Sequence, residues 1–242
     1  MRETYAAGVY WPARAETAEQ CARRAETFFR LLSRCDTSYT RWFEKAHSLE
    51  KALQLQFEPT YETFLRFFGE KKYRRGKTDK DGFNFGAWNG DEEGSNIMLT
   101  CGTSSRYFPN TCILHLPSVD TEAGRILSAP VMTEVVRALV LAWEPEDGGV
   151  FSDAYQESRN EPVGPPRTGW LMYLSRRRGE VPPLPAPVRV EPVEDKGSLV
   201  ILTPERFTVD DPAHVALADE VRALLDRAGL LKESSAYSST PS

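Results

Sequence analysis

Gly82-Phe-Asn-Phe-Gly-Ala-Trp-Asn89, Asn96-Ile-Met-Leu-Thr-Cys-Gly102 and Thr111-Cys-Ile-Leu-His-Leu116 read as three strands in close succession. The short polar turn Gly90–Ser95 predicts a hairpin between the first two. Helical segments follow at once, over Thr121–Leu127 and Pro130–Trp143, with Pro130 suited to a first helical turn. Strands that lie next to each other, flanked by helices, indicate an α+β fold with a mostly antiparallel sheet.

Working outward, Glu3–Trp11 reads as a strand ended by Pro12. Ala18, Cys21, Ala25, Phe28, Phe29 and Leu32 recur at helical spacing, which predicts a helix over 16–34. Ser48 is a candidate N-cap for a helix to Phe57, and a third helix follows Pro59 to about Glu70. Lys71–Asp81 reads as an exposed loop, Gly148-Gly149 as the end of the middle block, and Gln156–Thr168 as a loop carrying Pro162, Pro165 and Pro166. Trp170–Leu174 is a strand. Val188–Val193 and Ser198–Thr203 form the clearest hairpin, joined through Asp195-Lys-Gly197. A last helix opens at Asp211-Pro212 and closes at Gly229.

The connector Pro182–Pro187 is the one candidate domain boundary, but about 45 residues after it are too few to hold a core alone. The expectation is therefore one α+β domain over 1–231, with N-terminal, middle and C-terminal helices packed on its sheet. Residues 232–242, rich in Ser, are expected to be a disordered tail.

The 242 residues are 40% hydrophobic and 27% charged, with a net charge of −5, which excludes general disorder. The acidic excess argues against a dedicated nucleic-acid binder but allows an acidic face aimed at a basic partner. No signal-peptide core or membrane-length apolar run is present, so the expected location is cytoplasmic. Cys21 and Cys35 lie about 21 Å apart along one helix, too far for a disulfide. Cys101 and Cys112 are able to approach each other and read as small buried hydrophobes. Three histidines without a Cys-x-x-Cys pair give no expectation of a metal, and the absence of phosphate or dinucleotide loops gives none of a cofactor.

His47, His115 and His214 lack a nucleophile context and read as structural. Two basic runs, Lys71, Lys72, Arg74, Arg75 and Lys77 and then Arg176–Arg178, read as solvated. Tyr73 within the first leaves a weak nucleic-acid module as an alternative. Charge is uneven along the chain: residues 1–82 carry 16 Lys/Arg against 12 Asp/Glu, and residues 83–150 carry 3 against 9. The acidic segment bunches in Asp91, Glu92 and Glu93 and again in Glu144, Glu146 and Asp147, both at expected element ends, and one sheet or helix edge is expected to present them together. These six are the candidate partner-binding residues. A carboxylate-dependent enzyme using Asp91 or Glu93 is a further alternative. Should the six be only solvated, the interface is expected at exposed aromatics of the 83–116 strands or in the 156–168 loop.

Five segments complete the reading: Gly8-Val-Tyr-Trp-Pro-Ala-Arg14, Phe28-Phe-Arg-Leu-Leu32 to Trp42-Phe43, Ala87-Trp-Asn-Gly90, Gly169-Trp-Leu-Met-Tyr-Leu-Ser175 and Val190–Phe207. In order and combination they resemble the immunity protein 52 family of bacterial polymorphic toxin systems, over most of residues 3–231. The family's Trp-Gly motif finds only Trp88-Asn-Gly90, with an inserted Asn, and Gly169-Trp170, reversed, so no functional residue is carried over from it. The resemblance implies a non-enzymatic antitoxin that binds a cognate nuclease toxin of restriction-endonuclease-like fold and protects the producing bacterium. It agrees with what the residues themselves lead one to expect: no cofactor, no specific nucleic-acid binding and no membrane partner.

Overall fold

The computed structural model describes residues 3–76, 78–91, 93–105, 109–118, 122–159 and 166–232. The elements run β1 (Tyr5–Trp11), α1 (Ala18–Leu32), β2 (Trp42–Glu44), α2 (Leu49–Leu53), β3 (Gln56–Phe57) and α3 (Tyr61–Gly69). Then come β4 (Phe83–Trp88), β5 (Asn96–Cys101), β6 (Asn110–His115), α4 (Ala129–Trp143), β7 (Asp147–Ser152) and α5 (Asp153–Arg159). β8 (Leu171–Ser175), β9 (Arg189–Val193), β10 (Gly197–Ile201) and α6 (Pro212–Arg227) complete the chain. The strands form one antiparallel sheet in the order β3-β2-β4-β5-β6-β1-β7-β8-β10-β9. The fold is α+β, and the sheet continues on both sides of the Pro182–Pro187 connector.

Local sequence explains where four of the helices begin. Thr17 and Gln20 make a reciprocal capping box at α1, while Ser48, Thr60 and Asp211 each accept a backbone N–H at the start of α2, α3 and α6. Helices α1, α3 and α4 bury their apolar stripes on one sheet face. Trp11 of β1 stacks on Trp143 of α4 with ring centroids 5.3 Å apart. Phe29, Phe57, Phe64, Phe67, Phe85 and Tyr73 build a second aromatic cluster beneath α1 and α3.

Four segments differ from the sequence reading. The helix expected to reach Phe57 stops at Leu53, because Gln56-Phe57 pair with β2 as a short edge strand. Lys71–Asp81 is not simply an exposed loop: it holds two short 3₁₀ turns, and Tyr73 is buried in the aromatic cluster. Gly148-Gly149 does not end a block but lies inside β7, a central strand buried at all six positions. A Cβ on Gly148 would stand 2.4 Å from the Gly8 carbonyl oxygen, and one on Gly149 would stand 2.0 Å from that of Leu171. The pair thus permits close approach of β1, β7 and β8. Finally, α5 continues to Arg159 inside the expected 156–168 loop, whose residues 160–165 lie outside the described residues. The expected tail from residue 233 onward also lies outside them.

Strand register separates two halves of the sheet. In β4, β5 and β6 burial alternates residue by residue, so one face is covered by the helices and the other is open. In β7 and β8 every residue is buried, so both faces are covered. At the end of α6, Arg178 Nη1 donates to the Leu230 and Lys232 carbonyls while Arg178 Nη2 binds Asp147, tying the C-terminal segment to this second half.

Candidate functional site

The six candidate carboxylates fall into two different settings. Asp91 and Glu93 sit exposed in the β4–β5 turn, and Glu92 lies outside the described residues. Asn89 organises this turn: its Oδ1 accepts from Ser95 N at 3.1 Å, and its Nδ2 donates to Asp91 Oδ2 at 3.1 Å. The Trp88 indole N–H donates to the Asp91 carbonyl at 2.7 Å. The Asp91 side chain is thereby held at the surface.

The second run is largely engaged within the fold. Glu144 ends α4 in a left-handed conformation (φ 49°), with its carboxylate between Lys196 Nζ at 2.9 Å and Arg24 Nη2 at 3.1 Å. The hydrogen bond from Lys196, helped by Arg24, holds its pKa below the usual carboxylate range. Glu146 is half-buried. Asp147 is interior: its Oδ2 lies 2.8 Å from Arg178 Nη2, and the two side chains are only 3% and 6% exposed. Burial pushes the Asp147 pKa up to about 7, against the pull of Arg178.

The expectation that both runs share one edge is corrected by the register. Trp88 pairs with Asn96, Asn96 with His115, and His115 with Ala6, so the first run stands at the end of the sheet where β1 begins. Asp147 pairs with Tyr10 at the opposite end. Three strand spacings and a strand length part the runs by on the order of 20 Å. Asp147 is also corrected as a surface residue, because its position in β7 points it under Arg178 rather than to solvent.

The open face of the β4–β6 half is the other feature of note. Gly86 pairs with Met98, Met98 with Ile113, and Ile113 with Gly8, so these four line one row across the strands. Polar rows flank it: Asn84, Thr100 and Thr111 on one side, Asn96 and His115 beside Trp88 on the other. Met98 is 51% exposed, and Trp88 and Ile113 are half-buried. Leu49, Leu53 and Leu55, all exposed, come from α2 and the segment after it. A cleft of about 450 Å³ runs between Leu55, Tyr73 and Met98, and a second of about 320 Å³ lies between Leu49, Ala52 and Trp88. Lys45 lines both. The face ends at β1 and β7, where the Arg167 guanidinium lies over the Tyr10 and Phe151 rings. Sequence reading pointed at exposed aromatics of these strands; Trp88 there is half-buried, and the exposed apolar residues are Met98 and the α2 leucines, which that reading did not name.

The remaining candidates have structural engagements. Tyr73 is buried and its hydroxyl donates to Glu44, while Lys72 pairs with Glu44 at 2.9 Å and Glu70 at 3.3 Å. Tyr73 therefore offers no free face for stacking a base, and Lys77 lies outside the described residues. Arg178 of the second basic run is buried with Asp147. His214 accepts from Thr208 N through Nδ1 and stacks on Phe207. Cys21, Cys101 and Cys112 are buried free thiols, and Cys35, also free, is half-buried. Among the described residues no three His, Cys, Asp or Glu side chains converge as a metal would require, and no helix is long and apolar enough to cross a membrane.

The sequence model of one family, immunity protein 52, matches residues 3–234. The chain belongs to the immunity protein 52 family. No curated protein matches this immunity protein 52 chain. Among solved structures it is similar to a Pseudomonas aeruginosa T6SS protein, PA0821, with a TM-score of 0.51 and 15% identity. The match covers 92% of this chain and 76% of that one, and it shows a shared fold.

Proposed function

We propose that this immunity protein neutralises a cognate toxin by forming a stoichiometric protein–protein complex in the cytoplasm of the producing bacterium, with no catalytic step. The family match over residues 3–234 carries the reading. The T6SS protein of similar fold is consistent with a role in competition between bacteria. The finer proposal is that the toxin is a nuclease of restriction-endonuclease-like fold, as the sequence resemblance implies. Such a toxin presents a basic cleft, and the exposed Asp91 and Glu93 suit steering toward one. Glu144 and Glu146 are secondary candidates for the same contact, and Asp147 serves the fold instead.

The test is co-expression with the cognate toxin domain, sought first in the gene next to this one. Survival of the host and co-purification of the two proteins are expected. A folded chain that neither protects nor co-purifies would refute the proposal.

A further inference from the structure

We propose that the open face of the β4–β6 half, with α2 at its side, is where the cognate toxin docks, presenting an apolar ridge to Met98 and a carboxylate to Lys45. The proposal rests on the immunity reading above and goes beyond it by naming the surface and the chemistry of the contact.

Three observations converge here. The first is a phase violation. Apart from Asn110, which is hydrogen-bonded to Thr103 and Pro12, the inward positions of β4, β5 and β6 are apolar, and the outward positions are mainly Asn, Thr and His, as a solvated face requires. Met98 and Ile113 break this pattern at neighbouring positions of one row, with Gly86 and Gly8 beside them. The result is a shallow apolar trough between polar rows. Exposed apolar surface rimmed by polar groups marks interaction sites, and Met and aromatic side chains are enriched in such sites.

The second is where the exposed apolar residues lie. Of the five large hydrophobics exposed among the described residues, Leu49, Leu53, Leu55 and Met98 belong to this one region. Only Val190, on the far edge strand β9, lies elsewhere.

The third is charge. The Lys45 stem crosses the face over Gly86, where a Cβ would meet its Cδ at 3.3 Å, and its ammonium reaches the neutral amide oxygen of Asn96 at 3.3 Å. Among the described residues no carboxylate lies within ion-pair distance of it. Loss of solvent around its stem lowers the Lys45 pKa, and burial, with Lys45 adding to it and Asp153 opposing it, lowers that of the His115 imidazole. The titratable groups facing this spot are Lys45 and His115, with Asp153 beyond the imidazole, and Glu44 and Lys72, paired with each other at 2.9 Å, on the wall of the larger cleft. Lys45 is exposed, has no ion-paired carboxylate among the described residues, and stands at the mouth of both clefts, where it is complementary to an acidic side chain of a partner that also covers Met98 and the α2 leucines. Asp91 at the Trp88 end then provides the opposite charge at the rim.

The experiment titrates the toxin that the co-expression test identifies, made catalytically inactive, into the full chain by calorimetry. Lys45→Glu and Met98→Asp are compared with Val190→Asp, and thermal melts establish that each variant folds. Each of the first two is expected to weaken binding by about 30-fold or more, the scale of a contact hot spot, with Val190→Asp unchanged. Folded variants that bind with wild-type affinity would overturn the docking face while leaving the immunity reading intact. A wild-type chain that fails to bind at all would overturn the reading and the face together. A wild-type chain that is itself a dimer, dissociated by the same two substitutions, would assign the face to a second copy and overturn the proposal.

Discussion

The two halves of the sheet use the same antiparallel pairing and bury their strands differently. In β7 and β8 every side chain is interior, and the one charged group there, Asp147, is matched by a buried Arg178. In β4, β5 and β6 one face is closed by α1, α3 and α4 and the other is left to solvent, with Met98 and Ile113 placed where polar residues are expected. The acidic runs follow the same division. Glu144 and Asp147 are engaged within the fold, whereas Asp91 is held outward by a turn that Asn89 organises. Charge composition alone cannot separate these cases; position within the sheet does.

The contrast is broken most severely at Arg178. Arg178→Met leaves Asp147 buried without its cation and frees the Leu230 and Lys232 carbonyls, so a loss of about 3–5 kcal/mol is expected from chemical denaturation. Met98→Ser, on the open half, is expected to stay within about 0.5 kcal/mol of the parent. Equal losses at the two sites would erase the distinction between the halves.

A pH series sharpens the same point. Burial raises the Asp147 pKa to about 7, above the ~3.9 of an unfolded aspartate, so the folded state holds this proton more tightly. The stability it contributes is fully present below pH ~4 and is lost as pH rises through about 7. Wild type should therefore lose Tm relative to Asp147→Asn between pH 5 and pH 7.5. A gain by wild type over that interval would mean that the Arg178 pairing outweighs burial.

Charge reversal in the acidic runs has modest effects on stability. Glu144→Lys breaks contacts to both Arg24 and Lys196 and is expected to cost about 1 kcal/mol, because such partly exposed pairs contribute little each. Asp91→Lys should leave stability within about 0.5 kcal/mol and instead slow toxin association at low salt, the signature of a rim charge. Stopped-flow mixing across a salt series reads this directly, and a salt-independent rate equal to that of wild type would remove Asp91 from the contact.

Much of the fold was legible because its signals are local. The capping residues Ser48 and Asp211, the helical spacing in α1 and α6, and the β9–β10 hairpin each lie within a few residues of what they determine. β7 was missed because Gly148-Gly149 carries a turn-like composition whose purpose is long-range: contact with Gly8 and Leu171. β2 and β3 were missed because three- and two-residue strands owe their existence to the neighbouring β4. The candidate site was legible only in part. The outward Met98 was open to notice as an apolar residue in a polar phase, but its row with Gly86, Ile113 and Gly8 emerges only from the strand register. The burial of Asp147 was not legible, since its partner Arg178 lies 31 residues away in sequence.

Hydroxyl-radical footprinting of the chain with and without its inactivated toxin tests the docking surface most directly, because it reads side-chain exposure without altering the protein. Met98 and Trp88 are expected to lose most of their reactivity in the complex while Val190 keeps its own. Unchanged reactivity at Met98 and Trp88 in a saturated complex would contradict the account.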